Sequence, residues 1–207
     1  MTQTMIILVR DLKRPVAQMP TPEPFRVQTI ATPRDEYFPA LDQFCTLGGF
    51  PVGWAQLRLE AAARAWLVIG PDQAGAVASA WSTAQPMFID EIGYTFTPPQ
   101  RGDYFFGAFV APAWRGRHLQ RLLINRRLHA SAAADRRWAM AIIHTRNRVS
   151  LRNDQSEGFT AAAKLMSLRR RDWRADHLRR VASSLPYGSL SGNGWHRRLA
   201  LSLGWAT

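Results

Sequence analysis

Cysteine is almost missing from this 207-residue chain, which carries Cys45 alone. That excludes an internal disulfide framework and a cysteine-based metal cluster, and it fits a reducing compartment. A lone cysteine reads as a small buried apolar side chain. Long apolar runs are missing too: Met5 to Val9 at the start is too short for a secretion signal and far short of the ~20 residues of a membrane span. A cytoplasmic protein with no membrane span is therefore expected. No Gly-Lys-Ser/Thr and no Gly-x-Gly-x-x-Gly occurs, which removes the commonest nucleotide signatures. His118, His129, His144, His177 and His196 have no metal-ligand spacing with Cys or a carboxylate, so no metal is expected. Neither Ser150 nor Ser156 sits in a Gly-x-Ser-x-Gly elbow, and nucleophilic hydrolysis is unsupported.

Acidic residues are scarce in one half only. Residues 1 to 114 hold 8 Lys and Arg against 10 Asp and Glu, whereas residues 115 to 207 hold 19 against 5. The net charge of +12 thus divides into −2 and +14. A solvated arginine face satisfies this asymmetry, and so does a site for an acidic ligand, nucleic acid or an anionic surface.

The length suits one domain with a full core. Residues 1–25, with Pro15, Pro20, Pro22 and Pro24, are expected as an irregular arm, and 26–207 as a single domain. Arg26 to Ile30 reads as a strand, Asp35 to Phe44 as a helix broken at Gly48, and Trp54 to Ala65 as a second helix. Ala65 to Ile69 and Ala76 to Gln85 read as a hairpin, followed by strand-like Met87 to Phe96. Trp138 to Ile143 is a continuous apolar run typical of a strand buried on both faces. A short helix follows within Thr145 to Phe159, then strand-like Thr160 to Leu168. An arginine cluster runs from Arg169 to Arg180, and Trp195 to Leu201 reads as a last strand. The order is α/β with a mixed sheet.

The chain is organised around Tyr104 to Leu128. Tyr104 to Val110 reads as a strand that Pro112 ends. A basic, glycine-containing turn comes next, and a good helix former begins at Leu119. A helix opening after such a turn offers unpaired N–H groups and the positive end of its dipole, hence an anion site.

The stretch from Val110 to Leu123 resembles the acyl-CoA-binding motif of the GNAT-superfamily N-acetyltransferases, Gln/Arg-x-x-Gly-x-Gly/Ala between a strand and a helix. Arg115 falls on the first motif position, His118 on the first glycine and Gln120 on the last. Asn147, Ser150 and Gly158-Phe159 are similar to that family's Asn-x-x-Ser…Gly-Phe helix. The resemblance covers roughly Arg26 to Leu201. It implies an α/β fold with a mixed, mostly antiparallel sheet, a splayed central parallel strand pair and flanking helices. It implies acetyl-CoA or another acyl-CoA as co-substrate and direct attack of an amine on the thioester. By the same resemblance, pyrophosphate would rest on the N–H groups of Gly116, Arg117, His118, Leu119 and Gln120, with charge from Arg115, Arg117 and Arg121. The pantetheine arm would pair with the backbone of Phe109 and Val110 and meet Asn147 and Ser150.

Departures from the motif sharpen the expectations. An N–H cradle survives His118 if that residue keeps a negative φ with its ring outward, and Gln120 is expected to turn away. The family's acidic tyrosine, seven residues past Asn147, is here Asp154. Candidate bases are Glu91, Asp90 and Asp103, and candidate acids Tyr104 and Tyr94. Two readings follow: an acetyl-CoA-dependent N-acetyltransferase acting on a small-molecule or peptide amine, or a non-catalytic CoA-binding relative whose basic half binds polyanions such as nucleic acid. An apolar last strand would also suit a homodimer.

Overall fold

The computed structural model describes residues 2–71, 74–89, 94–169, 183–185, 188–191 and 197–203. In chain order it forms β1 (Thr2–Asp11), β2 (Arg26–Ile30), α1 (Phe38–Leu47), α2 (Trp54–Glu60), β3 (Arg64–Ile69) and β4 (Ala76–Thr83). Then come β5 (Met87–Ile89), β6 (Tyr94–Thr97), β7 (Gly102–Val110), a 3-10 turn (Pro112–Trp114), α3 (Leu119–Ala133) and β8 (Trp138–His144). The chain closes with α4 (Arg148–Ser156), β9 (Thr160–Arg169), β10 (Ser183–Leu185), β11 (Gly188–Ser191) and β12 (Arg197–Leu203).

Eight strands make one sheet in the order β12-β9-β1-β8-β7-β4-β3-β2, and β10-β11-β6-β5 make a smaller second sheet. Every neighbour in the large sheet is antiparallel except β7 and β8. That parallel pair is in register from Gly102 opposite Trp138 to Phe105 opposite Ala141. Beyond it the strands part: β7 follows β4 as far as Val110, while β8 follows β1 as far as His144.

The start of the chain departs from expectation. Residues 1–25 read as an irregular arm, yet Thr2–Asp11 is a strand in the sheet interior, paired with β8 on one edge and β9 on the other. The apolar run Met5 to Val9 suits a strand covered on both faces, with Met5, Ile7, Leu8 and Val9 all buried. The rest of the arm is tied across α3. Asn125 accepts from Met19 N at 3.0 Å and donates to Ala17 O at 2.8 Å, and Arg126 donates to Thr21 Oγ1 at 2.6 Å. That bond pairs Arg126, a cation beside the apolar side of α3.

The pleat sends alternate residues to opposite faces. Ile7, Val9, Trp81, Tyr104, Met140 and Ile142 pack on one side with Leu41 and Phe44 of α1, Leu59 of α2 and Phe96 of the second sheet. On the other side α3 is buried along two rows. Leu119, Leu122 and Leu123 meet Trp66, Val68 and Ala78, while Ile124 and Leu128 meet Leu8, Phe105, Ala141 and Ile143. The second helix stops earlier than its composition suggests, at Glu60, and Arg64 already begins β3. The Arg170 to Arg180 part of the arginine cluster lies outside the described residues.

Candidate functional site

The site begins where β7 leaves its parallel partner. Ser79 faces Phe109 and Trp81 faces Phe106, so Gly107 and Ala108 together oppose Ala80. This is a β-bulge, and Gly107 takes the left-handed φ of 58° that such a bulge requires. A Cβ at Gly107 would meet Trp81 Cδ1 at 3.0 Å and Trp54 Cη2 at 3.1 Å. Phe109 turns its ring to Phe44 on the α1 side, centroids 5.3 Å apart.

The chain then closes a tight turn. Trp114 N bonds Ala111 O, Gly116 has φ 77° and His118, the residue before α3, has φ 58° and ψ 15°. The cradle therefore forms by another route than expected: His118 adopts the glycine-type conformation, which histidine tolerates better than most residues. The first helical bond is Leu122 N to His118 O at 3.0 Å. The N–H groups of residues 116 to 121 find no acceptor among the described residues. They share one end of the dipole of a 15-residue helix, which makes an electropositive nest.

The facing wall comes from α4. Asn147 caps this helix by accepting from Ser150 N at 3.2 Å. Gln120 does not turn away: its Nε2 donates to Ser150 Oγ at 3.0 Å and its Oε1 accepts from Asn153 Nδ2 at 2.9 Å. Between this wall, the turn and the end of β7 lies a cavity of about 640 Å³. Phe109, Val110, Arg115, Gly116, His118, Leu119, Gln120, Asn147 and Ser150 line it, as do Ala108, Trp114, Val149 and Asn153. Asn153 was within reach of sequence reasoning, because it lies three residues past Ser150 on the same helical face.

Two expected cations stand apart from the lining. Arg121 pairs with Glu157, Nη2 to Oε1 at 2.9 Å, and its guanidinium is thereby turned toward α4. Arg117 lies over the Trp114 ring at 5.1 Å. Arg115 lines the cavity and donates from Nε to Val110 O at 3.2 Å.

The candidate acids and bases are placed elsewhere. Tyr104 is buried between Phe96 and Phe106, at centroid distances of 5.0 and 5.5 Å, and does not line the cavity. Tyr94 is buried in the same cluster, and desolvation raises its pKa. Asp103 accepts from Ser131 Oγ at 2.6 Å, and burial raises its pKa. Glu91 and Asp90 lie outside the described residues. Asp154 is buried behind the cavity wall, and burial pushes its carboxyl up to about 7 against the opposing pull of Arg127. Arg127 is itself fully enclosed, donating to Leu123 O and Trp81 O with its guanidinium 4.4 Å from the Phe105 ring. Its pKa falls to about 10 through loss of water. Nothing local in the sequence marks this buried arginine, because its acceptors lie on β4 and on its own helix. Among the described residues no group of three or more His, Cys, Asp or Glu is placed to hold a metal.

The fold is similar to that of solved GCN5-related N-acetyltransferases. A GCN5-related N-acetyltransferase from Sphaerobacter thermophilus is 13% identical at a TM-score of 0.52, over 79% of this chain and 50% of the other. One from Kribbella flavida is 12% identical at 0.54, over 79% and 56%. A GNAT-family acetyltransferase from Colwellia psychrerythraea is 15% identical at 0.53, over 80% and 55%. The chain thus spans about half the length of these proteins. No protein-family model and no curated protein matches the sequence.

Proposed function

We propose that the chain is an N-acyltransferase moving an acetyl or other short acyl group from acyl-CoA to an amine. One observation carries the reading. The parallel pairing ends at Phe105 and Ala141, and past that point a cavity lies against the end of β7 that β8 leaves unpaired, Ala108 to Val110, and against the turn that carries six acceptor-free N–H groups. Pyrophosphate suits the nest at residues 116 to 121, with Arg115 beside it and Arg117 within reach. The arm of CoA, a chain of amides, suits the β7 backbone at Phe109 and Val110, which β8 no longer pairs, and the neutral wall of Asn147, Ser150 and Gln120.

Acyl transfer then needs little covalent help. The amine nitrogen attacks the thioester carbon, the C–N bond forms, the C–S bond breaks, and the thiolate leaves and takes up a proton. A backbone N–H near the bulge steadies the oxyanion. The ammonium proton passes to water or to Glu91, the carboxylate proposed as base. Tyr104, sealed in the core, is given no step.

Acetyl-CoA should raise the thermal midpoint of the chain and bind in calorimetry, and Arg115→Glu should remove both effects. No shift and no heat would sink the proposal. Turnover is read by acetyl-CoA consumption against polyamines, amino acids, aminoglycosides and basic peptides, with Glu91→Gln slowing a live enzyme.

The enclosure of Tyr104 and Asp154 favours a second reading, a CoA-binding protein without turnover whose basic half meets polyanions. It expects binding of acetyl-CoA, no consumption with any amine, and retention on DNA or RNA at low salt.

A further inference from the structure

Gln120 occupies a motif position where the resemblance calls for a small residue, and its amide does something a glycine cannot. It spans from the second residue of α3 to α4 and holds two side chains of the cavity wall, Ser150 and Asn153. We propose that Gln120 is a positioning residue that aims the Ser150 hydroxyl hydrogen into the cavity, toward an amide carbonyl on the arm of the bound acyl-CoA. This inference rests on the acyl-CoA reading above.

The argument is a count of donors and acceptors. A serine hydroxyl has one hydrogen to give. Ser150 Oγ accepts from Gln120 Nε2, and Ser150 N is taken by Asn147 Oδ1, yet the hydroxyl donates to no described residue. Its hydrogen is therefore directed away from Gln120, and Ser150 lines the open space. In this arrangement Asn153 Nδ2 faces Gln120 Oε1, which leaves Gln120 Nε2 to face Ser150. The wall so formed is uncharged and presents a donor, which fits a carbonyl rather than a phosphate. The nest of N–H groups at residues 116 to 121 takes the phosphates instead.

The test separates the arm from the phosphates. Calorimetry is run on the full chain with CoA and with adenosine 3′,5′-bisphosphate, a fragment without the arm. Gln120→Met, similar in size but unable to hold Ser150, should weaken CoA about five- to tenfold, the worth of one hydrogen bond, and leave the bisphosphate unchanged. Ser150→Ala should lose the same factor, and the double variant no more than either single one. Gln120→Glu keeps the bond to Asn153 but takes the hydroxyl hydrogen for itself, so it should also weaken CoA. Unchanged or tighter CoA binding by Gln120→Met overturns the inference. An equal loss for the bisphosphate, or additive losses in the double variant, does so too. If the unmodified chain binds neither ligand, the acyl-CoA reading itself falls and takes this one with it.

Discussion

His118 carries the clearest local cost in the site. A non-glycine residue in the left-handed region costs about 1 to 2 kcal/mol, and here it is needed to bring successive N–H groups to one side of the turn. His118→Gly removes the cost and loosens the unfolded chain, so a net gain of about 0.5 to 1 kcal/mol is expected in denaturant unfolding. His118→Val, branched at Cβ, should lose stability instead. A second residue-scale effect belongs to Asp154. Its folded pKa, about 7, stands above the ordinary unfolded value of about 3.9, so the native state holds a proton that the unfolded state has released. Stability should therefore be greatest on the acid side of this window and fall as pH rises from about 4 to about 7, by at most about 4 kcal/mol. Thermal midpoints across that range should show the decline, and Asp154→Asn should flatten it.

At the scale of elements, β1 and β7 decide the site. Strand β8 can leave β7 only because another strand takes its far edge, and β1 is that strand. Leu8 is fully buried among Phe105, Ile124 and Ala141, so Leu8→Ala should cost about 3 kcal/mol by urea unfolding. The Met5 to Val9 run is visible in the sequence, but nothing nearby says what it pairs with. Its partners begin at Trp138 and Thr160. Strand β7, its bulge and α3 are continuous in sequence, and their order could be read from Pro112, Gly116 and the helix formers after Leu119. Gly107 was less legible, because the need for glycine arises from Trp54 and Trp81 closing in on it. Gly107→Ala should destabilise by about 1 to 2 kcal/mol through its φ alone, and the two rings leave it little room.

For the whole molecule, charge is the governing quantity. The net +12 is borne by the half that begins at the anion nest, where Arg115, Arg117, Arg146, Arg148 and Arg152 are all exposed. A polyphosphate ligand should be drawn in by this field, so CoA affinity measured by calorimetry should fall as salt is raised from about 50 to about 200 mM. Nucleic-acid retention, if the basic half serves it, should fall more steeply, because each neutralised phosphate releases counterions.

By itself the sequence determined the local pieces: the strand, turn and helix at Tyr104 to Leu128, the capped helix at Asn147, and the uneven charge. These depend on turn chemistry, capping and periodicity, which act over a few residues. Only the tertiary structure decided that the first strand lies inside the sheet, that β7 and β8 part after Phe105 and Ala141, and that Arg121 is held by Glu157 while Gln120 holds Ser150. Those outcomes turn on which distant segments share an edge or a face. Strand pairing and side-chain bonds across 30 to 166 residues leave no periodic trace in either partner.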